Sequence, residues 1–230
     1  MKQHIPNAIT SLNLMFGCLS VLFAIQGNLL MASACIGASA VMDFFDGFVA
    51  RLLKVSGELG KQLDSLADVV SFGVAPGFIF YSIASQTIDN WSVFMFLLIP
   101  VFSAIRLAKF NLDTRQSDSF IGLPTPANAM FIASIPLILN NDTYNLTPVF
   151  TNSAFLVMFP VVSAYLLIAE LPLLALKFKN FTWKDNSFRF ILIAGCVLSM
   201  LIFKFAGVAI SILLYIGISI VHNIISKNTK

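Results

Sequence analysis

An all-α, polytopic membrane bundle of about eight transmembrane helices is the fold this sequence predicts, and three observations predict it. The first is composition. The chain has 230 residues, 58% hydrophobic and 11% charged, with a mean hydropathy of +0.88, more apolar surface than a water-soluble core can hide. The second is run length. A hydrocarbon core about 30 Å thick takes about 20 helical residues. Apolar runs of that order occur at about 8–25, 29–53, 62–85, 91–110, 125–139, 149–173, 187–203 and 206–225. The third is charge. With eight spans both termini share a side, and of the 14 lysines and arginines every one but Lys204 falls on it. That bias marks the side as cytoplasmic. Dropping one span would scatter the charges over both sides. The net charge of +3 is therefore a topology signal, and nucleic acid is not an expected partner.

The first span opens on Ile5-Pro6-Asn7, with proline where a helix start tolerates it and an asparagine able to cap. Thr10, Ser11 and Asn13 interrupt the apolar run and no small-residue cleavage site follows, so the segment reads as mature structure rather than a secretory signal.

Spans two and three share residues 43–68, DFFDGFVARLLKVSGELGKQLDSLAD. Four carboxylates stand in runs otherwise apolar enough for membrane. An ionised Asp near the centre of a spanning helix costs roughly 2.5–3.5 kcal/mol, and several together repel one another. One arginine, Arg51, is too little to offset them, whereas hard carboxylate oxygens suit Mg²⁺, Mn²⁺ or Ca²⁺. Asp43 and Asp46 are three apart, one turn along a helix. Asp64 and Asp68 are four apart on one face, with Gly60 a turn earlier. A short polar connection at 54–61 turns the two helices toward each other. The predicted site is thus a metal centre held by Asp43, Asp46, Asp64 and Asp68. Gly47 and Ala50 are small residues beside it, where a ligand or a neighbouring backbone can approach.

After Asp68, Gly73 and Pro76 predict a kink or close packing in span three. At the end of span four Arg106 and Lys109 are three apart on one face. They either anchor the helix at headgroups or face the acidic site and hold an oxyanion, a phosphate or a carboxylate. Residues 120–126, with Gly122, Pro124 and Pro126, predict a stiff turn. Spans six to eight carry no motif, and the break between the last two falls near 204–207. Cys18, Cys35 and Cys196 lack ligand spacing and read as packing residues without a disulfide. His4 and His222 have no partner motif. No repeat or soluble segment is visible, so 1–230 reads as a single membrane domain.

The pattern Asp43-x2-Asp46-Gly47-x2-Ala50-Arg51-x8-Gly60-x3-Asp64-x3-Asp68 resembles, without departure, the signature of the CDP-alcohol phosphotransferases. The wording from Leu63 to Pro76, Arg106 to Asn111 and Gly122 to Ala129 looks in particular like the phosphatidylserine synthase branch of that family. The resemblance spans residues 6–129. It implies attack of the L-serine hydroxyl on the phosphorus that carries diacylglycerol in CDP-diacylglycerol, with release of CMP. It also implies two divalent cations, Mg²⁺ or Mn²⁺, on the four aspartates, with Asp68, last in the motif, as general base or as an orienting group for the nucleophile. Asn7 and Thr10 become candidates for the cytidine end. Gly47, Ala50, Arg51 and Gly60 join them as substrate-contacting positions, and Arg106 and Lys109 as oxyanion holders.

The expected partners are CDP-diacylglycerol, L-serine and membrane lipids, and a homodimer is compatible with the sequence. Two other readings stay open. One keeps the chemistry and changes the acceptor to glycerol 3-phosphate, inositol phosphate or another alcohol, which would call for more basic residues. The other is an ion-coupled transporter, whose broken helices ordinarily come in two related halves; here the carboxylates occupy one hairpin at one face.

Overall fold

The computed structural model describes residues 4–55, 57–112, 119–175, 180 and 182–228, the side chains of 119, 120, 184, 185 and 226–228 excepted. Several of the basic positions that orient the sequence reading, Lys2, Arg115, Lys177, Lys179 and Lys230, lie outside the described residues, as do the side chains of Lys184 and Lys227.

In chain order the described residues form α1 (His4–Ile25), α2 (Leu29–Leu53), α3 (Glu58–Ala84), α4 (Trp91–Leu112), β1 (Ser119–Ile121), α5 (Thr125–Asn140), α6 (Ser153–Ile168), β2 (Pro172–Leu174), α7 (Trp183–Phe203) and α8 (Phe205–Asn228). Six of these helices, α1 to α4 with α7 and α8, are long and apolar enough to cross a membrane, so the chain is an integral membrane protein of all-α class. The remaining two, α5 and α6, have 16 residues each, about 24 Å of helix.

Both short helices nevertheless run between the same two ends of the bundle as the long ones. α5 starts beside the β1–β2 ribbon, and α8 is hydrogen-bonded to that ribbon through Ser219 and Asn223. α5 ends where Ile138 and Asn141 share a cavity with Lys204, the residue between α7 and α8. Just beyond α5, the Tyr144 hydroxyl donates to the Ile202 carbonyl at 2.8 Å. α6 ends beside Gly122 and Leu123, with Leu123 N–H donating to Leu166.

The run at 149–173 is thus shorter as helix than its apolarity suggested. Asn152 accepts from Ala154 N–H at 2.8 Å and starts α6 afresh after a one-turn helix at Thr147–Phe150. That turn is tied down by Asp142, whose carboxylate is held below its usual range by the Thr147 side chain and by the Leu146 and Thr147 N–H groups. At the far end Ala169 turns extended and the chain pairs as β2, antiparallel to β1 with Phe120 opposite Leu173. The turn expected over 120–126 is narrower in the structure, since Phe120 and Ile121 belong to β1 and Thr125 and Pro126 open α5, leaving Gly122–Pro124 between them. Gly122 has φ +77, and a Cβ there would lie 2.6 Å from the Leu167 carbonyl oxygen.

Helices in lipid gain little from apolar burial alone and associate through small and polar residues that let backbones approach. α1 illustrates this. Its buried residues are Pro6, Thr10, Asn13, Gly17, Ser20 and Ala24, a stripe stepping by three and four that faces α2 and α3. Gly17 admits α3 so closely that a Cβ would meet the Ser71 hydroxyl and lie 2.9 Å from the Ser71 Cα. Ser71 belongs to a π-helical turn, Val70–Val74, inside α3, and Gly73 in the same turn lets Ser103 of α4 approach. Of the kink or close packing expected around Gly73 and Pro76, the structure shows close packing on this widened turn, a feature often found at functional sites. Larger side chains fill the centre. Phe159 stacks between Phe80 and Phe131, each 5.2 Å away, over buried Phe72, Ile79 and Ile132.

Gly17→Val tests this packing. The added side chain meets the Ser71 Cα as well as its hydroxyl, and the backbone atom cannot rotate away, so overpacking should cost about 1–3 kcal/mol and lower the unfolding temperature of the detergent-solubilised protein. Gly37→Val, where a Cβ meets nothing within 4 Å, is the neutral control.

Candidate active site

α2 and α3 form a hairpin joined by residues 54–57. Lys54, at φ 51, ends α2 in the left-handed conformation. Register follows from counting outward from the turn. Asp43 lies ten residues before Leu53 and Asp68 ten residues after Glu58, so both stand about 15 Å from the turn. Asp46 and Asp64 pair at about 10 Å. The carboxylates therefore sit two to three turns inside the hairpin, deeper than the helix ends.

One carboxylate oxygen from each of Asp43, Asp64 and Asp68 lies within 4.8 Å of the others. Asp46 stands apart from that trio but within electrostatic reach of it. Its Oδ2 accepts from the Thr10 hydroxyl at 2.6 Å. Thr10 has one proton to donate, and its other acceptor, the Pro6 carbonyl, is farther at 3.1 Å, so the carboxylate takes it.

α1 supplies the backing. Asn13, fully buried, donates from Nδ2 to Asp68 Oδ1 at 3.3 Å. Its own carbonyl accepts from the hydroxyls of Ser39 on α2 at 3.1 Å and Ser71 on α3 at 3.0 Å. One residue thereby ties three helices together behind the carboxylates. Asn13 Oδ1 remains a buried acceptor without a partner among the described residues.

In front of Asp46 and Asp64 opens a cavity of about 350 Å³ between α1 and the hairpin, lined also by Asn7, Thr10, Gly47, Ala50, Gly60 and Lys61. Five of the predicted substrate positions, Asn7, Thr10, Gly47, Ala50 and Gly60, thus share one cavity with Asp46 and Asp64. Gly47 has nothing within 4 Å of a hypothetical Cβ, so its backbone is open to a ligand, whereas a Cβ on Gly60 would lie 3.1 Å from Asn7 Oδ1.

The basic residues divide. Arg51 is exposed and folds back, Nε donating to the Gly47 carbonyl at 3.0 Å. Lys109 is exposed. Arg106 is 6% exposed, its guanidinium carbon 5.9 Å above the Phe110 ring, and its Nε has no hydrogen-bond partner among the described residues. It stands within electrostatic reach of Asp68. The two residues paired by sequence spacing therefore do different things, with Arg106 turned inward and Lys109 outward. Lys61 donates to the Asn111 carbonyl at 3.3 Å, and Asn111 Nδ2 to Ser65 at 2.7 Å, closing α3 onto α4 at this end.

This donor set fits a divalent cation. It offers converging hard oxygens from two helices and, in Asn13 Oδ1, an acceptor still short of a partner. Asp43, Asp64 and Asp68 would hold the ion, with Asn13 orienting Asp68 from outside. Sequence reasoning passed over Asn13. The signal was the stripe Thr10, Asn13, Gly17, Ser20, which is polar and small at helical spacing.

Asn13→Leu should weaken Mn²⁺ binding by about tenfold or more, the usual loss for an outer partner of a metal ligand, and Asp64→Asn should weaken it further. Electron paramagnetic resonance of free Mn²⁺ in the presence of purified protein measures both, without turnover.

Residues 3–176 match the family described as CDP-alcohol phosphatidyltransferase. Over 190 residues the chain is 34% identical to a CDP-diacylglycerol–serine O-phosphatidyltransferase of Helicobacter pylori, covering 82% of this chain and 78% of that one. A protein of the same name from Bacillus subtilis is 35% identical over 143 residues, 62% of this chain and 78% of its own. An archaetidylserine synthase of Methanothermobacter thermautotrophicus is 37% identical over 136 residues, 58% of each chain. The family match takes in the whole hairpin, its four aspartates and the α1 stripe behind them, and the chain belongs to the CDP-alcohol phosphatidyltransferase family.

Proposed function

We propose that this protein transfers the phosphatidyl group of CDP-diacylglycerol to the hydroxyl of L-serine, giving phosphatidylserine and CMP. The observation that carries the reading is the carboxylate trio joined, through Asp64, to a cavity of about 350 Å³ that Asp46 also lines. The names of the similar proteins support serine as acceptor.

The cavity holds the cytidine end, with Asn7 and Thr10 as its polar contacts and Gly47, Ala50 and Gly60 admitting the nucleotide close to the backbone. Arg51 braces the Gly47 turn through its carbonyl. The serine oxygen attacks the phosphorus bearing diacylglycerol, a new P–O bond forms, and the bond to the CMP oxygen breaks. The hydroxyl proton passes to Asp68, oriented for that task by Asn13. The aspartates would hold divalent cations, Mg²⁺ or Mn²⁺ and two per site, which would neutralise the charge of the diphosphate. Positioning does the rest, as phosphoryl transfer chiefly requires. Arg106 holds the serine carboxylate through its planar fork, while Lys109 meets headgroups at the surface.

All eight helices cross the membrane in this reading, α5 and α6 included, because they join the same two ends as the long ones. Both termini and the active site then face the cytoplasm, where L-serine enters and CMP leaves, while the lipid arrives from the inner leaflet. The chain acts as one domain over 1–230. A homodimer would carry two such sites.

Purified protein given CDP-diacylglycerol, Mg²⁺ or Mn²⁺ and a panel of alcohols should release CMP with L-serine and stop when EDTA is added. Arg106→Lys should raise the KM for serine by about tenfold and leave that for CDP-diacylglycerol near its original value. Preference for glycerol 3-phosphate over serine would overturn the acceptor assignment. For topology, cysteines introduced within 140–148 should react with an impermeant reagent from outside, and one at Gly57 should not, in a background lacking Cys18, Cys35 and Cys196.

A further inference from the structure

The cavity between α1 and the hairpin has two chemically different ends. Asp46, Asp64 and Thr10 form the inner one. The outer one is built from His4 and Pro6 at the start of α1 and from Val55, Gly57 and Leu59 around the hairpin turn. His4 stands six residues before Thr10 on α1, about 9 Å along the helix. The fold therefore sets acidic groups at one end of the cavity and apolar ones at the other.

Leu59, in the first turn of α3 beside Glu58, is 73% exposed at an otherwise polar turn. His4 is exposed as well, and its imidazole is the one aromatic ring among the described residues lining the cavity. Neither the carboxylates nor their backing uses it. A flat heteroaromatic ring has two faces, and it can cover Leu59 with one while stacking on His4 with the other. A phosphate attached to that ring through a ribose would belong at the carboxylate end, where cation charge meets it. Asn7, three residues on from His4 and so on the same face of α1, offers its amide to the edge of the ring.

We propose that His4 is the base-stacking residue of the nucleotide site, its imidazole lying against one face of the cytosine ring with Leu59 against the other. This inference rests on the cavity holding the cytidine end and is independent of which alcohol is the acceptor. Stacking needs only a π-face and accepts any base, so His4 supplies affinity and orientation while the Asn7 amide meets the polar edge. A base held in this way fixes the leaving phosphate against the carboxylate end.

Displacement of radiolabelled CMP from the purified protein in Mg²⁺ measures the affinities of CMP and of ribose 5-phosphate, which lacks the base. His4→Ala should weaken CMP binding by about tenfold and leave ribose 5-phosphate within about twofold of wild type, the loss of one stacked ring. His4→Phe, which keeps a ring, should restore most of the CMP affinity. Leu59→Ala should also weaken CMP and spare ribose 5-phosphate. It decides the matter should the His4 variants fail to fold, which Mn²⁺ binding at the deeper aspartates reports. An unchanged CMP affinity in variants that bind Mn²⁺ overturns the inference, as does an equal loss of CMP and ribose 5-phosphate or a His4→Phe variant as weak as His4→Ala. Those outcomes leave the serine reading standing, because CMP binds without an acceptor. Wild-type protein that binds no CMP removes the nucleotide reading of the cavity and this inference with it.

Discussion

Mutual repulsion among carboxylates in an apolar hairpin is the constraint on which the rest of this structure depends. Two unit charges about 4 Å apart interact by about 4 kcal/mol at an effective dielectric of 20, and three aspartates here bring their oxygens within 4.8 Å of one another. Apolar packing cannot offset that repulsion, and the nearby cations offset it only in part, Arg106 standing within electrostatic reach of Asp68. Arg51 bonds to its own helix, and Lys61 to Asn111. The frame is therefore strained toward taking up positive charge, and a divalent cation brings it in the least volume. A carboxylate site of this kind is useful only if it stays the right shape while empty, which makes its backing as important as its ligands.

The backing is α1. Gly17 lets it approach α3, Asn13 ties it to α2 and α3, and Thr10 holds Asp46. Packing and positioning are the same contacts, since Ser71 both fills the space left by Gly17 and donates to Asn13. The π turn at Val70–Val74 follows directly on Asp68 and carries Ser71 and Gly73. It sets the face that α3 presents to α1 on one side and to α4 on the other.

The opposite half of the bundle is held by similar means with no charge at stake. Ser199 and Ser211 hydroxyls meet at 2.9 Å, and Gly207 leaves no room for a side chain against Ser199. The α7–α8 corner is thereby closed tightly at Lys204, while the β1–β2 ribbon ties the other end of α8 to the connection between α4 and α5. This small ribbon explains how a helix without any family motif comes to be held against α5 and the strand that follows α6.

Sequence by itself determined the membrane class, the positions of the apolar helices and the identity of the aspartates, because these depend on quantities local to the chain. Hydropathy over about 20 residues and spacing of three or four along a helix are legible without neighbours. The turn at Gly122 was legible for the same reason, a backbone demand written into one residue. Tertiary structure alone decided which partners these residues meet. Arg106 and Lys109 share a face by spacing, yet one is buried and the other exposed, since burial depends on what packs alongside. Asn13 looked like a polar interruption until α2 and α3 were in place around it. Asp46 left the trio for Thr10, a choice made by distance. The β ribbon joins segments about fifty residues apart in sequence, a pairing that no local periodicity announces.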